Sequence, residues 1–468
     1  MNRDTRNRLR HTLRRAGTAF ARAESWIKEH TSRDKHWIIV ILLLSALLRL
    51  PFLDYPDRTL FDEVIYTNFA MHIVHHEPFF DIHPPLARLI FAKIAENSHF
   101  QLWSIPMETN KQFGDFPYAT LRLFIAALGT LLPLLLYLIG RLLKYSPAAA
   151  GILALFAVFD NALVLYSRII LPDTLLLFLN FFGFAAAIAA AQMTQRKQRI
   201  ALIVLSGIAI GLAISVKWTA LAMLPIIWLV FLFARMYQAI VITSILVISS
   251  YLLIFTIYFT NFPQGGYIDP VLSPYNKPWI ANMSFPEGKD IKNIIMYLPQ
   301  IHRAMLRASS DVDIAKVTLQ SAGPLSWPAT RSALTFWISD NGKHTIILRG
   351  NEFLWFLTFF MILFEIGWIT MKGLSKRSWP IDRTETILLL GYVLNYAPFF
   401  LIDRPMYLYH YFTAFIFLLL LLPRIAPRVV RCIGAMTHDK TLARTIMYFS
   451  ILLVLVSFFL LAKTTYGF

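Results

Sequence analysis

The apolar positions of this 468-residue chain fall in long blocks rather than at a surface-helix period. A helix that crosses a bilayer needs about 20 mostly apolar residues, with a range of roughly 17–25. Eleven stretches meet or approach that length: 37–53, 118–143, 147–166, 173–192, 199–214, 217–234, 237–259, 351–371, 385–402, 408–423 and 444–462. The 199–234 block reads either as one broken helix or as two short spans meeting at Ser215-Val216-Lys217. Two intervening segments are long, 54–117 and 260–350, and the second is rich in Pro, Asn, Ser and Asp. The pattern predicts an all-α polytopic membrane protein with about 11 transmembrane helices and two large outer loops.

Composition supports this class. Hydrophobic residues make up 57% of the chain and charged residues 15%, against roughly 45–50% and about 25% in soluble domains. Whole-chain disorder, a collagen and a disulfide-stapled secreted domain are excluded. Cys432 is the single cysteine, so no intrachain disulfide or cysteine metal cluster can form. Ten Lys/Arg in residues 1–36 place the N-terminus in the cytoplasm. The net charge of +17 then reads as basic cytoplasmic segments, not as a nucleic-acid surface. Reading 199–234 as two spans also keeps the basic 371–385 loop inside. The Arg-rich run Leu9–Lys28 is moderately amphipathic and suits the anionic inner leaflet. The expected organisation is a cytoplasmic segment 1–36, a transmembrane core 37–259 with outer loop 54–117, an outer region 260–350 and a C-terminal transmembrane region 351–468.

With that topology, the unusual polar residues gather on the outer side. Asp62-Glu63 and Asp81-Ile-His83-Pro-Pro85 lie in the first outer loop, and Arg122 lies one turn into the second span. Arg168 and Asp173 flank the next outer turn, Lys217 sits at the fifth–sixth span junction, and Asp403-Arg404 with His410 occupy the last outer turn. Ionisable groups at membrane depth are expensive and tend to be functional. Each also has a plainer role. Asp62 or Glu63 suits a helix N-cap, Asp81 and His83 a solvated turn, and Arg122 and Lys217 a headgroup contact. Asp403 and Arg404 suit a local ion pair, and His410 an interfacial polar group. Adjacent helix residues point about 100° apart, so only one of Asp62 and Glu63 faces a reaction centre. His72, His75 and His76 crowd near Glu77 at spacings that suit either a metal or a wet helix surface. Asn282-Met-Ser284 fits a glycosylation sequon. No HExxH, P-loop or strand–helix GxGxxG appears, so metalloprotease and ATP-driven chemistry have no support.

Leu60-Phe-Asp-Glu-Val-Ile-Tyr-Thr-Asn-Phe-Ala70 and Phe79-Phe-Asp-Ile-His-Pro-Pro-Leu86 resemble the first outer loop of protein O-mannosyltransferases, glycosyltransferase family 39, which have the GT-C fold. Tyr118–Leu123, Gly211–Trp218, Tyr396–Arg404 and Tyr409-His-Tyr411 agree with the same family. The resemblance covers roughly 37–260 and 350–425. It implies an inverting transfer of a sugar, mannose in this family, from a polyprenyl-phosphate carrier to Ser/Thr hydroxyls of proteins outside the cytoplasm. By match to the family, Asp62 is the catalytic acid residue. Eukaryotic members carry a β-trefoil repeat domain in the long outer loop, for which 260–350 is too short. That departure favours a bacterial inner membrane over the endoplasmic reticulum, and it keeps open a lipid or glycan acceptor of the aminoarabinose-transferase kind. A transporter or flippase would place its charges near the midplane, often in inverted repeats.

The residue types fit such a transfer. An alcohol is a weak nucleophile at neutral pH, so a carboxylate, here Asp62, takes its proton in the transition state. Glu63 would orient the site. The leaving group is a lipid phosphate, which needs cations where negative charge develops. Arg122 and Lys217 are the first candidates, then Arg404. Asp81, His83 and His410 would shape the sugar or acceptor pocket. No cofactor is required, although the carboxylates and His83 are compatible with a divalent cation.

Overall fold

The computed structural model describes residues 33–468 apart from 99, 102–104, 106–107, 269–277, 311–320, 331–332, 377–379, 403–405 and 439. The basic run Leu9–Lys28 therefore lies outside the described residues. Among the described residues, sixteen α-helices follow in chain order: α1 (33–49), α2 (Glu63–Val74), α3 (Leu86–Glu96), α4 (Tyr118–Leu142), α5 (Pro147–Val158), α6 (Asn161–Tyr166), α7 (Asp173–Gln192), α8 (Arg196–Ile214), α9 (Met223–Phe233), α10 (Tyr237–Thr260), α11 (Pro278–Ala281), α12 (Ile291–Ser309), α13 (Glu352–Lys376), α14 (Arg383–Leu394), α15 (Phe412–Thr437) and α16 (Lys440–Tyr466). Each of the eleven apolar blocks falls on one helix or a broken pair. Eight helical stretches are long and apolar enough to cross a membrane, and Pro147–Val158 and Trp218–Phe233 are shorter apolar helices. The chain is a multi-pass integral membrane protein.

The 199–234 block is two segments. Helix α8 ends at Ile214, and a 3-10 turn (Trp218–Ala222) leads into α9. The 147–166 block, expected as one span, is broken between α5 and α6. Asp160 causes the break by capping α6, its carboxylate accepting from Leu163 N at 2.9 Å. The same buried carboxylate accepts from Trp355 Nε1 at 2.6 Å and Asn351 N at 3.2 Å. Asn351 Nδ2 donates onward to Phe159 O and Val454 O, both at 2.9 Å. This polar knot ties α5, α6, α13 and α16 together. Every buried polar group in it has a partner, which apolar surroundings require. The 408–423 block is longer than expected, because α15 continues to Thr437 through Pro423 and Pro427.

The outer loops are folded. The first contains α2 and α3, packed on each other. The second carries two antiparallel hairpins, β1 (Gly266–Tyr267) with β2 (Ser284–Phe285), and β3 (Leu334–Ile338) with β4 (Thr345–Leu348). The β3–β4 hairpin braces the first loop. Trp337 Nε1 donates to Asn110 Oδ1 at 2.7 Å, Asn110 Nδ2 donates to Asp340 Oδ1 at 2.8 Å, and Phe61 N donates to Phe336 O at 3.2 Å. The end of α1 is pinned in the same region. Arg49 donates to Ala157 O and Val158 O at the end of α5, and Arg168 donates to Arg49 O, Pro51 O and Phe52 O.

Candidate active site

The Asp62-Glu63 pair divides its work as adjacent helix residues must. The Glu63 side chain is fully buried and meets the guanidinium of Arg122 through Nε at 2.9 Å and Nη2 at 2.7 Å. Its two oxygens also accept from Ile170 N at 2.8 Å and Leu60 N at 3.0 Å. Arg122 spends its remaining donors on Pro56 O at 2.8 Å, Leu53 O at 3.2 Å and Arg58 O at 3.2 Å, and it lies over the Phe113 and Tyr118 rings. All five of its N–H groups are occupied. Arg122 was expected to meet the donor phosphate; its geometry instead makes it the partner that neutralises Glu63 and ties the first loop to α4. Charge-assisted bidentate pairing of this kind fixes orientation as well as charge.

Asp62 is the residue left available. It stands at the N-cap of α2 without making a cap hydrogen bond. Its carboxylate forms no hydrogen bond or ion pair with a described residue, and the residue keeps partial exposure. The backbone presents it by force: Phe61, just before it, has φ +45. A bulky residue in that left-handed region costs on the order of 1 kcal/mol. Phe61 is held there by its bond to Phe336 O and by stacking on the Phe336 ring at 4.7 Å. Removal from water raises the Asp62 carboxyl from 3.8 to about 7; Lys217 pulls it down, while Asp173 and Asp81 push it up. A carboxyl poised near neutrality can accept a proton at working pH.

Lys217 lies in the turn between α8 and the 3-10 segment. Its Nζ donates to both oxygens of Asp173 at 2.8 Å and stands 5.2 Å from the centre of the Tyr409 ring. Ser215 in the same turn accepts from Leu86 N at 2.9 Å, which fastens the start of α3 beside Lys217. Asp81 is buried and paired with Arg88 at 2.8 Å. Arg88 also donates to His83 O and lies 5.5–5.6 Å from the Phe69, Phe79 and Tyr258 ring centres. Asp81 thus faces Asp62 electrostatically while its own charge is balanced. His410 stacks on Tyr409 at 4.5 Å and on Trp327 at 6.0 Å, with Nδ1 3.0 Å from Tyr407 O. Arg404 and its neighbour Asp403 lie outside the described residues.

Asp62, Asp81, Asp173 and Lys217 are therefore drawn from three separate outer segments into one electrostatic neighbourhood. Arg122 and Glu63 form the support beneath it. The roles of Asp173, as partner of Lys217, and of Phe61 were missed from sequence. Asp173 stood among the ionisable residues of the outer turns without an assigned partner, and Phe61 stood within the Leu60–Ala70 motif without an assigned role. Among the described residues no three His, Cys, Asp or Glu side chains converge as a metal site. His72 instead bonds Glu77 at 2.9 Å, and His76 bonds Asn261 O.

Residues 39–272 match the family model of dolichyl-phosphate-mannose-protein mannosyltransferase, and residues 296–468 match the C-terminal four-transmembrane region of protein-O-mannosyltransferase. Dolichyl-phosphate-mannose–protein mannosyltransferase 1 of Saccharomyces cerevisiae is 30% identical over 212 residues, 41% of this chain and 24% of that protein. Dolichyl-phosphate-mannose–protein mannosyltransferase 4 of Schizosaccharomyces pombe is 34% identical over 144 residues, 30% of this chain and 18% of that protein. The chain thus spans about a quarter or less of the length of these curated relatives. Among solved structures, the S. cerevisiae protein O-mannosyltransferase Pmt1-Pmt2 complex bound to the sugar donor superposes with a TM-score of 0.76 at 16% identity, covering 93% of this chain and 90% of that one. ArnT from Cupriavidus metallidurans bound to undecaprenyl phosphate gives 0.51 at 13% identity, covering 92% and 75%.

Proposed function

The chain belongs to the dolichyl-phosphate-mannose-protein mannosyltransferase family and has the GT-C fold, and on that premise we propose that it transfers mannose from a polyprenyl-phosphate carrier to Ser/Thr hydroxyls of proteins at the outer face of its membrane. The observation that carries this reading is the asymmetry of the first-loop carboxylates. Glu63 is saturated, while Asp62 is uncommitted, partly exposed and poised near neutrality beside Lys217.

The acceptor hydroxyl attacks C1 of the mannose while Asp62 takes its proton. The C1–oxygen bond to the phosphate breaks, its electron pair leaves with the phosphate, and the anomeric centre inverts. The lipid phosphate is a stable anion and needs no proton. Lys217 has three N–H bonds and Asp173 uses two, leaving one to meet a phosphate oxygen. That contact strengthens as charge accumulates on the leaving oxygen. Glu63 and Arg122 hold the α2 start in register, Arg88 sets Asp81 and the His83 backbone as one wall, and Tyr409 and His410 form another. The compartment is the extracytoplasmic side of the host membrane. The two curated sequence relatives named above come from yeasts, so a bacterial inner membrane, expected from the short outer loop, draws no support from them. A lipid or glycan acceptor is not favoured by these two sequence relatives, both of which are named for protein acceptors.

The test uses the purified chain, radiolabelled polyprenyl-phosphate-mannose and a Ser/Thr-rich peptide, comparing wild type with Asp62→Asn. Label on the peptide, reduced at least about 10²-fold in the variant, is expected for loss of a general base. Label appearing only in added lipid would overturn the protein acceptor. Full activity in Asp62→Asn would remove the base assignment.

A further inference from the structure

Tyr166 is fully enclosed, with 1% of its surface exposed, yet its hydroxyl finds no hydrogen-bond partner among the described residues. A buried hydroxyl without a partner is destabilising, and a phenylalanine would fill the same space without that penalty. The ring is tightly placed. It packs against Phe412 at 4.9 Å, Tyr409 at 5.5 Å and Phe336 of β3 at 5.8 Å. The backbone around it is fixed at three points. Asp160 caps the start of α6, Thr174 Oγ1 donates to Tyr166 O at 3.0 Å, and Ser167 sits so close to Gly129 of α4 that a Cβ there would come within 2.2 Å of it. The fold thus invests in holding a hydroxyl that satisfies nothing in the protein itself.

The groups in electrostatic reach of that hydroxyl are Asp173, Tyr409, Asp62 and Tyr66. Lys217, bonded to Asp173, stands over the same Tyr409 ring that Tyr166 packs against. The hydroxyl therefore belongs to the neighbourhood where donor and base must meet. Sugar hydroxyls can be received there by the carboxylates, which accept hydrogen bonds. An anionic oxygen can be received only by donors, and the donors in this group are Lys217 and the tyrosine hydroxyls, of which that of Tyr166 is buried with no hydrogen-bond partner among the described residues.

We propose that the Tyr166 hydroxyl is a hydrogen-bond donor to the phosphate of the lipid-linked sugar, a second anchor beside Lys217. This rests on the function proposed above. Tyr166 keeps its proton throughout; the leaving oxygen carries away the bonding pair, and the phenol O–H strengthens its bond to the phosphate as that charge grows.

The variant Tyr166→Phe, made in the full chain and reconstituted in nanodiscs, separates a ligand role from a packing role. Three quantities are read: thermal unfolding without ligand, affinity for bare polyprenyl phosphate, and kcat and KM for the mannosyl donor. The expected result is an unfolding temperature equal to or above wild type, with phosphate-lipid affinity and kcat/KM each falling about 10- to 100-fold, as for a lost hydrogen bond to a charged group. Unchanged affinity and turnover would overturn the proposal. So would a variant that unfolds earlier and loses activity in proportion, since that marks a packing role. Weakened use of the mannosyl donor with normal binding of bare polyprenyl phosphate would place the hydroxyl on the sugar and overturn the phosphate assignment. Wild-type protein that neither binds the phosphate lipid nor transfers mannose removes the proposed function itself, whereas normal wild-type binding matched by the variant removes Tyr166 alone.

Discussion

Asp62→Asn should make the ligand-free protein more stable while abolishing its activity, and the gain should grow with pH. The Asp62 carboxyl is held at about 7 against an ordinary 3.8. The folded state therefore retains the proton over a range in which the unfolded chain has released it. Stability falls with rising pH wherever the folded state binds more protons. The cost is absent below about pH 4, builds through pH 5 and 6, and levels off above pH 7. At about 1.4 kcal/mol per pH unit, the difference between 3.8 and about 7 amounts to an upper figure of about 4 kcal/mol. Asparagine has the shape of the protonated acid and avoids this cost at every pH. Thermal unfolding of wild type and variant in nanodiscs, at one scan rate and without donor, should give nearly equal transitions at pH 4.5 and a clear advantage for the variant at pH 8. A pH-independent difference, or a variant less stable at pH 8, would refute the claim that removal from water raises the Asp62 carboxyl in the folded protein. The comparison is independent of any assay of the acceptor.

Three other outcomes follow from the same geometry. For wild type, kcat/KM should rise with pH through an acid limb near 7, because only ionised Asp62 accepts the proton; a flat profile from pH 5 to 8 counts against it. Lys217 lowers the Asp62 value more than Asp173 raises it, so Lys217→Met, made together with Asp173→Asn to avoid a stranded buried charge, should move that limb to higher pH by the difference of the two effects and cut kcat by about 10²-fold. Glu63→Gln breaks the buried pair with Arg122 and should lower stability by about 3–5 kcal/mol, read as early unfolding or loss of the monodisperse peak. Adding Arg122→Met should recover part of that loss, and failure to do so would show that the Arg122 contacts to Leu53, Pro56 and Arg58 carbonyls dominate.

The spans were legible because long apolar runs have one stable solution in a bilayer. The split at Ser215–Lys217 was readable from charge balance across the loops. The break at Asp160 was not, because its cause is a knot with Asn351 and Trp355 nearly two hundred residues away. At the site, the 100° rule set Asp62 and Glu63 on different faces, and the structure gives Glu63 the buried partners and leaves Asp62 without them. Which donors would be spent was beyond sequence: Arg122 and Lys217 are both basic residues at outer helix ends, yet Arg122 is saturated by Glu63 and three carbonyls of the first loop while Lys217 keeps an N–H in hand. Tyr166 was invisible, being one aromatic in an apolar run. Its significance lies in an unmade hydrogen bond, which only coordinates reveal.

The clasp between Phe61 and Phe336 has a practical use. The left-handed backbone that presents Asp62 is held from the second outer loop, through one hydrogen bond and one ring stack. The hairpin carrying Phe336 turns at Asp340–Lys343, and Lys343 is exposed. It works as a pointer on a short shaft, its near end resting against the residue before Asp62 and its far end exposed at Lys343. A fluorophore or spin label at Lys343 touches no group that meets substrate. Release of Phe61 from its strained setting during turnover would nonetheless move the label, turning a backbone event beside Asp62 into a signal readable in real time.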